Sequence, residues 1–131
     1  MKIWKFPQVS IVDEATGNEE VNIFDADDPT FKKLEYAIFF NQKLEVKTVT
    51  DLFTEVLRSL FELNPEAFFA SEIEKKLSLT KSADKLSGPL PLNDTYFIEK
   101  QLDSRNKIER IKFVLAAMDL TDELYVKYAD E

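Results

Sequence analysis

Thr48 to Leu77 is the one long apolar-periodic stretch in the chain, and the rest of the fold has to be built around it. Leu52, Val56 and Leu60 make one row at i, i+4 and i+8, and Phe53, Leu57 and Phe61 make the row beside it. Two adjacent rows form a stripe wider than a coiled-coil seam, so the helix must lie against a sheet or a second helix. Thr48 with Asp51 three residues on has the form of a capping box, Asp standing in for Glu, and sets the helix start. Asn64-Pro65 interrupts the pattern. Proline cannot continue a helix interior but fits the first position of a new one, here with Asn64 as its cap. The spacing predicts two consecutive helices, the second carrying Phe69, Ile73 and Leu77 on one face.

Around this helical centre the signals alternate between strand and helix. Lys2–Phe6 and Gln8–Val12 read as strand, Glu14–Glu20 as a turn about Gly17-Asn18, and Val21–Phe24 as the return of an N-terminal hairpin. Asp25–Pro29 reads as a loop, with Asp28 before Pro29 capping a single helical turn through Lys33. Leu34–Phe40 is a strand, with Tyr36, Ile38 and Phe40 on one face and Ala37 and Phe39 on the other. A strand apolar on both faces belongs inside a sheet or under a cover. Asn41-Gln42 is the expected turn, and Leu44 and Val46 supply the return strand. Ser78–Asn93, rich in Ser, Lys and Pro, is expected to be a mobile or ligand-facing loop. Thr95–Leu102 follows as a strand. Asp103 or Ser104 then caps a helix whose Ile108, Ile111, Leu115 and Met118 share a face, and Leu124, Val126 and Tyr128 close the chain as a strand.

The order is β-β-α-α-β-α-β after a β-rich start, which is that of an α+β domain: a small antiparallel sheet packed against two to three helices. At 131 residues the chain is one domain's worth, with 1–33 as an acidic N-terminal segment and 34–131 as the core. Eleven phenylalanines among residues of helix and strand period read as core.

Absences narrow the chemistry. Without cysteine there is no disulfide framework, thiolate metal site or cysteine nucleophile. Without histidine the usual neutral-pH base, the commonest metal ligand and every Ser-His arrangement are missing. The two glycines, Gly17 and Gly88, are too far apart for a phosphate-cradling loop. Glycosidase-type chemistry needs only two carboxylates, but no pair stands out. Asp25, Asp27 and Asp28 could face a hard cation, yet their spacing does not match an EF-hand and they read as a solvated loop. The expectation is a protein without catalytic residues, metal or cofactor. No signal-peptide run or membrane-length apolar segment occurs, so a cytoplasmic location is expected.

The net charge of −8 is unevenly spread. Residues 1–30 hold seven acids against two bases, and residues 113–131 hold five against one. The acidic candidates are Asp13, Glu14, Glu19, Glu20, Asp25, Asp27 and Asp28. The local exception is a basic group, Lys100, Arg105, Lys107, Arg110 and Lys112, on the surface left over by the Ile108–Met118 stripe. It reads either as a patch for phosphate or an acidic partner, or as the solvated face of an amphipathic helix paired in part with Asp103 and Glu109. Nucleic-acid binding needs a basic footprint, which an acidic chain lacks at large.

Several runs carry a likeness to a known family. Phe40-Asn-Gln-Lys-Leu-Glu-Val-Lys-Thr-Val-Thr-Asp-Leu-Phe53 takes a hairpin into an amphipathic helix that ends at Asn64-Pro-Glu66. Thr95-Tyr-Phe-Ile-Glu-Lys-Gln-Leu-Asp-Ser104 precedes the helix Ile108–Met118 and the ending Asp119-Leu-Thr-Asp-Glu-Leu-Tyr-Val-Lys-Tyr128. From Phe39 to Tyr128 the chain resembles a small α+β domain of unknown function found at the C-terminus of bacterial restriction- and nuclease-associated proteins. It departs from that pattern at Val49, where an aromatic is common, and at Asp103-Ser104, where a Ser-Ala pair is frequent. The loop before Thr95 is also low in basic residues for DNA contact. The resemblance implies an accessory role beside DNA-defence systems and transfers no catalytic residue. Three roles follow as expectations: a protein-interaction module, an acidic inhibitor imitating nucleic acid, and, trailing both, a weak nucleic-acid binder through helix 104–118. The first two are separated by whether the carboxylates of 13–28 and 119–131 converge on one surface.

Overall fold

A computed structural model describes residues 20–30 and 33–129. The strands are β1 (Val21–Asn22), β2 (Leu34–Phe39), β3 (Gln42–Leu44), β4 (Pro89–Pro91), β5 (Phe97–Glu99) and β6 (Leu124–Tyr128). The helices are α1 (Val49–Leu63), α2 (Pro65–Phe68), α3 (Ser71–Leu77) and α4 (Ser104–Ala117), with a 3₁₀ turn at Ala83–Lys85. The fold is α+β, with one four-stranded antiparallel sheet in the order β1-β6-β2-β3 and a separate two-stranded sheet of β4 and β5.

Helix α1 forms for the reasons its sequence gives. The Thr48 hydroxyl accepts the Asp51 N–H at 3.0 Å, and both apolar rows are fully inside, from Val49 to Phe61. Helix α4 is capped the same way, the Asp103 carboxylate accepting the Asn106 N–H at 2.8 Å, and it buries Ile108, Ile111, Val114 and Leu115. These two helices pack on each other and share one core with Leu34, Ala37, Phe39, Leu124 and Val126 of the sheet. Each of the buried Val, Leu, Ile and Phe side chains taken from water stabilises by about 1.5–3 kcal/mol before chain entropy is counted.

Between them the chain departs from the expected pattern. The single second helix is two short ones, because Ala70 is extended (φ −64°, ψ 139°) and breaks the run. The break turns Phe68 inward, edge-on to Phe61 at 5.1 Å, and leaves Phe69 outside. Asn64 precedes Pro65 as expected, but its side chain makes no capping bond. The stretch Ser78–Asn93, expected as a mobile or ligand-facing loop, buries Leu79, Leu90 and Leu92 and supplies β4. Pro89 and Pro91 point out from an edge strand, where no ladder N–H is needed, and Leu90 points in. One carboxylate locks this region: Glu99 accepts the N–H groups of Ser87 (2.9 Å), Gly88 (2.7 Å) and Gln101 (2.8 Å). A side chain at Gly88 would meet Gln101 Cβ at 3.1 Å, so the close approach requires glycine or a shift of Gln101.

The main sheet also corrects two details. The β2–β3 turn is Phe40-Asn41, one residue earlier than Asn41-Gln42, since Phe39 pairs with Gln42. Both turn residues have positive φ (53° and 64°), the left-handed pair that lets two strands reverse without splaying. Strand β2 is interior to the sheet as expected, yet only Leu34, Ala37 and Phe39 are buried, with Tyr36 and Ile38 half-exposed. Val21–Asn22 pairs with the C-terminal strand β6, Val21 opposite Val126. The proposed hairpin partners Lys2–Phe6 and Gln8–Val12, and the turn at 14–19, lie outside the described residues, as do 31–32 of the expected turn through Lys33. Within the part described, Asp28 closes a tight local turn onto Thr30, whose N–H and hydroxyl it accepts at 2.9 and 2.6 Å.

Candidate interaction surface

The basic residues of α4 are turned back onto the protein. Arg105 pairs with Asp28 at 2.7 Å. Lys107 donates to the Thr50 hydroxyl at 2.7 Å, and Arg110 donates to the Lys76 carbonyl at 2.7 Å. Lys112 stands 3.7 Å from Glu109 and 6.0 Å from the centre of the Phe24 ring. Lys100, before the helix, is exposed. The five therefore share no common face: Arg105 and Lys112 meet the Ala26–Pro29 loop, Lys107 the start of α1, and Arg110 the end of α3. Arg110 sits where a cation is favoured, at exposed helix carbonyls. Lys107 sits where it is disfavoured, beside a helix N-terminus, and burial together with Lys100 pushes its ammonium below its usual pKa against the pull of Asp103. Of the partners expected for this group, Glu109 is one, whereas Asp103 serves as the helix cap.

The acidic segments behave differently. Pairing of β1 with β6 brings residues 20–28 against 121–128, and three further bonds fasten them. The Asn22 amide donates to the Thr121 carbonyl at 2.8 Å, the Ile23 N–H to the Leu124 carbonyl at 3.0 Å, and the Tyr128 hydroxyl to the Asp27 carbonyl at 2.9 Å. The seam carries an open cleft of about 610 Å³ lined by Glu20, Asn22, Asp25, Thr121 and Asp122 over Val21, Phe24 and Tyr125. Among the described residues three carboxylates face it and no cation lines it. Asp27 is exposed beside it. Asp28 is diverted: the hydroxyl and N–H of Thr30, then Arg105, hold its carboxyl well below the usual range. Glu20 also accepts the Tyr36 hydroxyl, and that bond with burial pushes the phenol up to about 12. Asp13, Glu14 and Glu19 lie outside the described residues.

Asp122, Tyr125 and Phe24 complete the cleft and were not singled out from the sequence. Their signals were the acidic excess of residues 113–131, the apolar alternation of β6 and, for Phe24, its place at the end of the expected strand Val21–Phe24. A smaller acidic recess of about 450 Å³, lined by Glu45, Asp51 and Glu55, lies between β3 and the start of α1, where acids complement the helix dipole. Among the described residues no group of three or more acids is arranged to hold a metal ion, and no helix is long and apolar enough to cross a membrane. What the seam offers is charge and an aromatic floor, a setting that receives guanidinium or ammonium groups.

Fold and surface together define a small α+β domain with an acidic strand seam. No protein-family model matches the chain, and no curated protein or solved structure matches it either.

Proposed function

We propose that this chain is a non-enzymatic, cytoplasmic protein-interaction module whose acidic β1–β6 seam receives basic side chains of a partner protein. The observation that carries the reading is the gathering of Glu20, Asp25 and Asp122 over Phe24 and Tyr125 in one cleft that no cation lines among the described residues. Such a surface steers a basic partner and selects against acidic ones. An accessory place in a bacterial or phage DNA-defence or mobile-element system is the context suggested by the resemblance of residues 39–128, and it is part of the proposal.

The same gathering favours a second reading, an acidic inhibitor that occupies the nucleic-acid groove of a DNA-binding protein. Direct nucleic-acid binding through α4 has little support, because Arg105, Lys107, Arg110 and Lys112 are already engaged within the protein.

The test is affinity capture from the source lysate with the wild-type chain and with Asp25→Lys/Asp122→Lys, each at low and high salt. The module reading predicts a partner with a basic face, retained by the wild type at low salt and lost by the variant. If that partner is a DNA-binding protein displaced by its own DNA, the inhibitor reading holds. Equal capture by both chains contradicts the seam as the binding site.

A further inference from the structure

One side chain organises the cleft at the β1–β6 seam. Asn22 ends β1; its side-chain oxygen accepts the Phe24 N–H at 2.8 Å and its carbonyl accepts the Asp25 N–H at 2.8 Å. That turn sets Phe24 and Asp25 side by side just beyond the strand. The Asn22 amide donates to the Thr121 carbonyl at 2.8 Å and so ties this turn to the one that carries Asp122. Asn22 is thereby consumed as a pin, and the groups left for a ligand are those around it.

Those groups are carboxylates and rings that line the same cleft. The Asp25 and Asp122 carboxylates and the Tyr125 hydroxyl make no ion pair or hydrogen bond among the described residues. Glu20 adds charge but already accepts the Tyr36 hydroxyl. Phe24 is 37% exposed, and one internal cation meets it: Lys112, 6.0 Å from the ring centre and itself 3.7 Å from Glu109. Lys112 does not line the cleft.

Charge alone does not choose between lysine and arginine. Salt and water reach an open cleft, so the attraction is screened and acts alike on ammonium and guanidinium. The rings decide. An ammonium holds its hydration shell tightly. A guanidinium is planar and weakly hydrated, and it can lie on an aromatic face while its edge donates to carboxylates in a fork. Asp25 adjoins Phe24 in the chain, and Asp122 stands three residues before Tyr125, so each ring has an acid from its own segment. At about 610 Å³ the cleft has room for more than one side chain.

We propose that the occupant of the seam is an extended, arginine-bearing segment of a partner protein, and that Phe24 and Tyr125 make the cleft select guanidinium over ammonium. This rests on the seam being the binding surface of the chain.

The test is binding of the full chain to two end-labelled peptides of equal length and charge, one alternating Gly with Arg and the other Gly with Lys, with spermine as a free oligoamine. The arginine peptide is expected to bind about five-fold or more tighter than the lysine peptide, a ratio that persists as salt rises. Phe24→Leu cuts the ratio by about half or more and moves the lysine peptide little. Asp25→Asn/Asp122→Asn weakens both peptides. Leucine keeps position 24 apolar, a thermal melt confirms that the variant is folded, and the wild-type ratio stands without any variant. Equal affinities, a ratio indifferent to Phe24→Leu, or spermine bound as tightly as the arginine peptide overturns the selectivity and leaves the seam as a cation-binding surface. Binding of neither peptide, or of both unchanged by Asp25→Asn/Asp122→Asn, overturns the seam and the proposal together.

Discussion

Helix α4 and the β1–β6 seam carry comparable densities of charge and put them to opposite use. On α4, Arg105 and Lys112 face Asp28 and Glu109, and Lys107 and Arg110 donate to the Thr50 hydroxyl and the Lys76 carbonyl, so each cation of the helix is held by a partner within the protein. Along the seam, strand pairing brings Glu20, Asp25 and Asp122 together, with no cation between them among the described residues. The lesson is that a run of like charges marks a binding surface only when its neighbours leave it unanswered. A third case, Glu99, is an acid answered entirely by backbone N–H groups.

The largest effects should come from the apolar layer beneath both regions. Ile111→Ala on α4 and Leu124→Ala on β6 each truncate a side chain with no exposure, and each should cost about 2–5 kcal/mol in urea unfolding. A markedly smaller loss at Leu124 would mean that the seam is not anchored through β6. Next comes Glu99→Ala, which leaves three N–H groups without their acceptor and should cost about 1–3 kcal/mol. Burial pushes the Glu99 carboxyl up, but the N–H groups of Gln101, Gly88, Ser87 and Lys100 outweigh it and hold it below its ordinary value. A depressed folded pKa means that this stabilisation is present above the ordinary glutamate range and fades as pH falls through the lowered one. The wild type should therefore lose stability faster than Glu99→Gln on acidification, read by thermal melts from neutral pH downward.

Smaller changes sharpen the contrast. Ser78 and Asp119 end α3 and α4 with positive φ (59° and 61°), and in each case the next N–H returns to the helix, Leu79 to Glu74 at 3.0 Å and Leu120 to Leu115 at 2.8 Å. Glycine suits that conformation without steric cost, so Ser78→Gly and Asp119→Gly should each stabilise by up to about 1 kcal/mol. Lys107→Met should raise the urea midpoint slightly, because it removes a charge held half-buried at a helix N-terminus. Asp25→Asn/Asp122→Asn should stay within about 0.5 kcal/mol of wild type, as expected of surface residues outside the core.

The parts legible in the sequence were those governed by local rules. The cap at Thr48 and the stripe of α1 follow from spacing alone, whereas for α4 spacing left Asp103 and Ser104 both open as the cap and counted Met118, the half-buried C-cap, in a stripe that Val114 completes. What was missed depended on distant partners. Whether Phe68 or Phe69 turns inward is decided by the Phe61 ring and the break at Ala70, and Pro89-Leu90-Pro91 becomes a strand only because β5 lies beside it. The β2–β3 turn was misplaced by one residue because Phe40 adopts a positive φ that turn rules reserve for glycine or asparagine. Likewise the seam was visible as two acidic ends, but their meeting is a property of the strand order.

The most direct test of the contrast between seam and helix is an amide chemical-shift map of the full chain titrated separately with an arginine-rich peptide and with a short DNA duplex. The account predicts that the peptide shifts amides of residues 20–25 and 121–125, while the duplex leaves residues 100–112 unmoved. Duplex-induced shifts along Arg105–Lys112, with a silent seam, would contradict it.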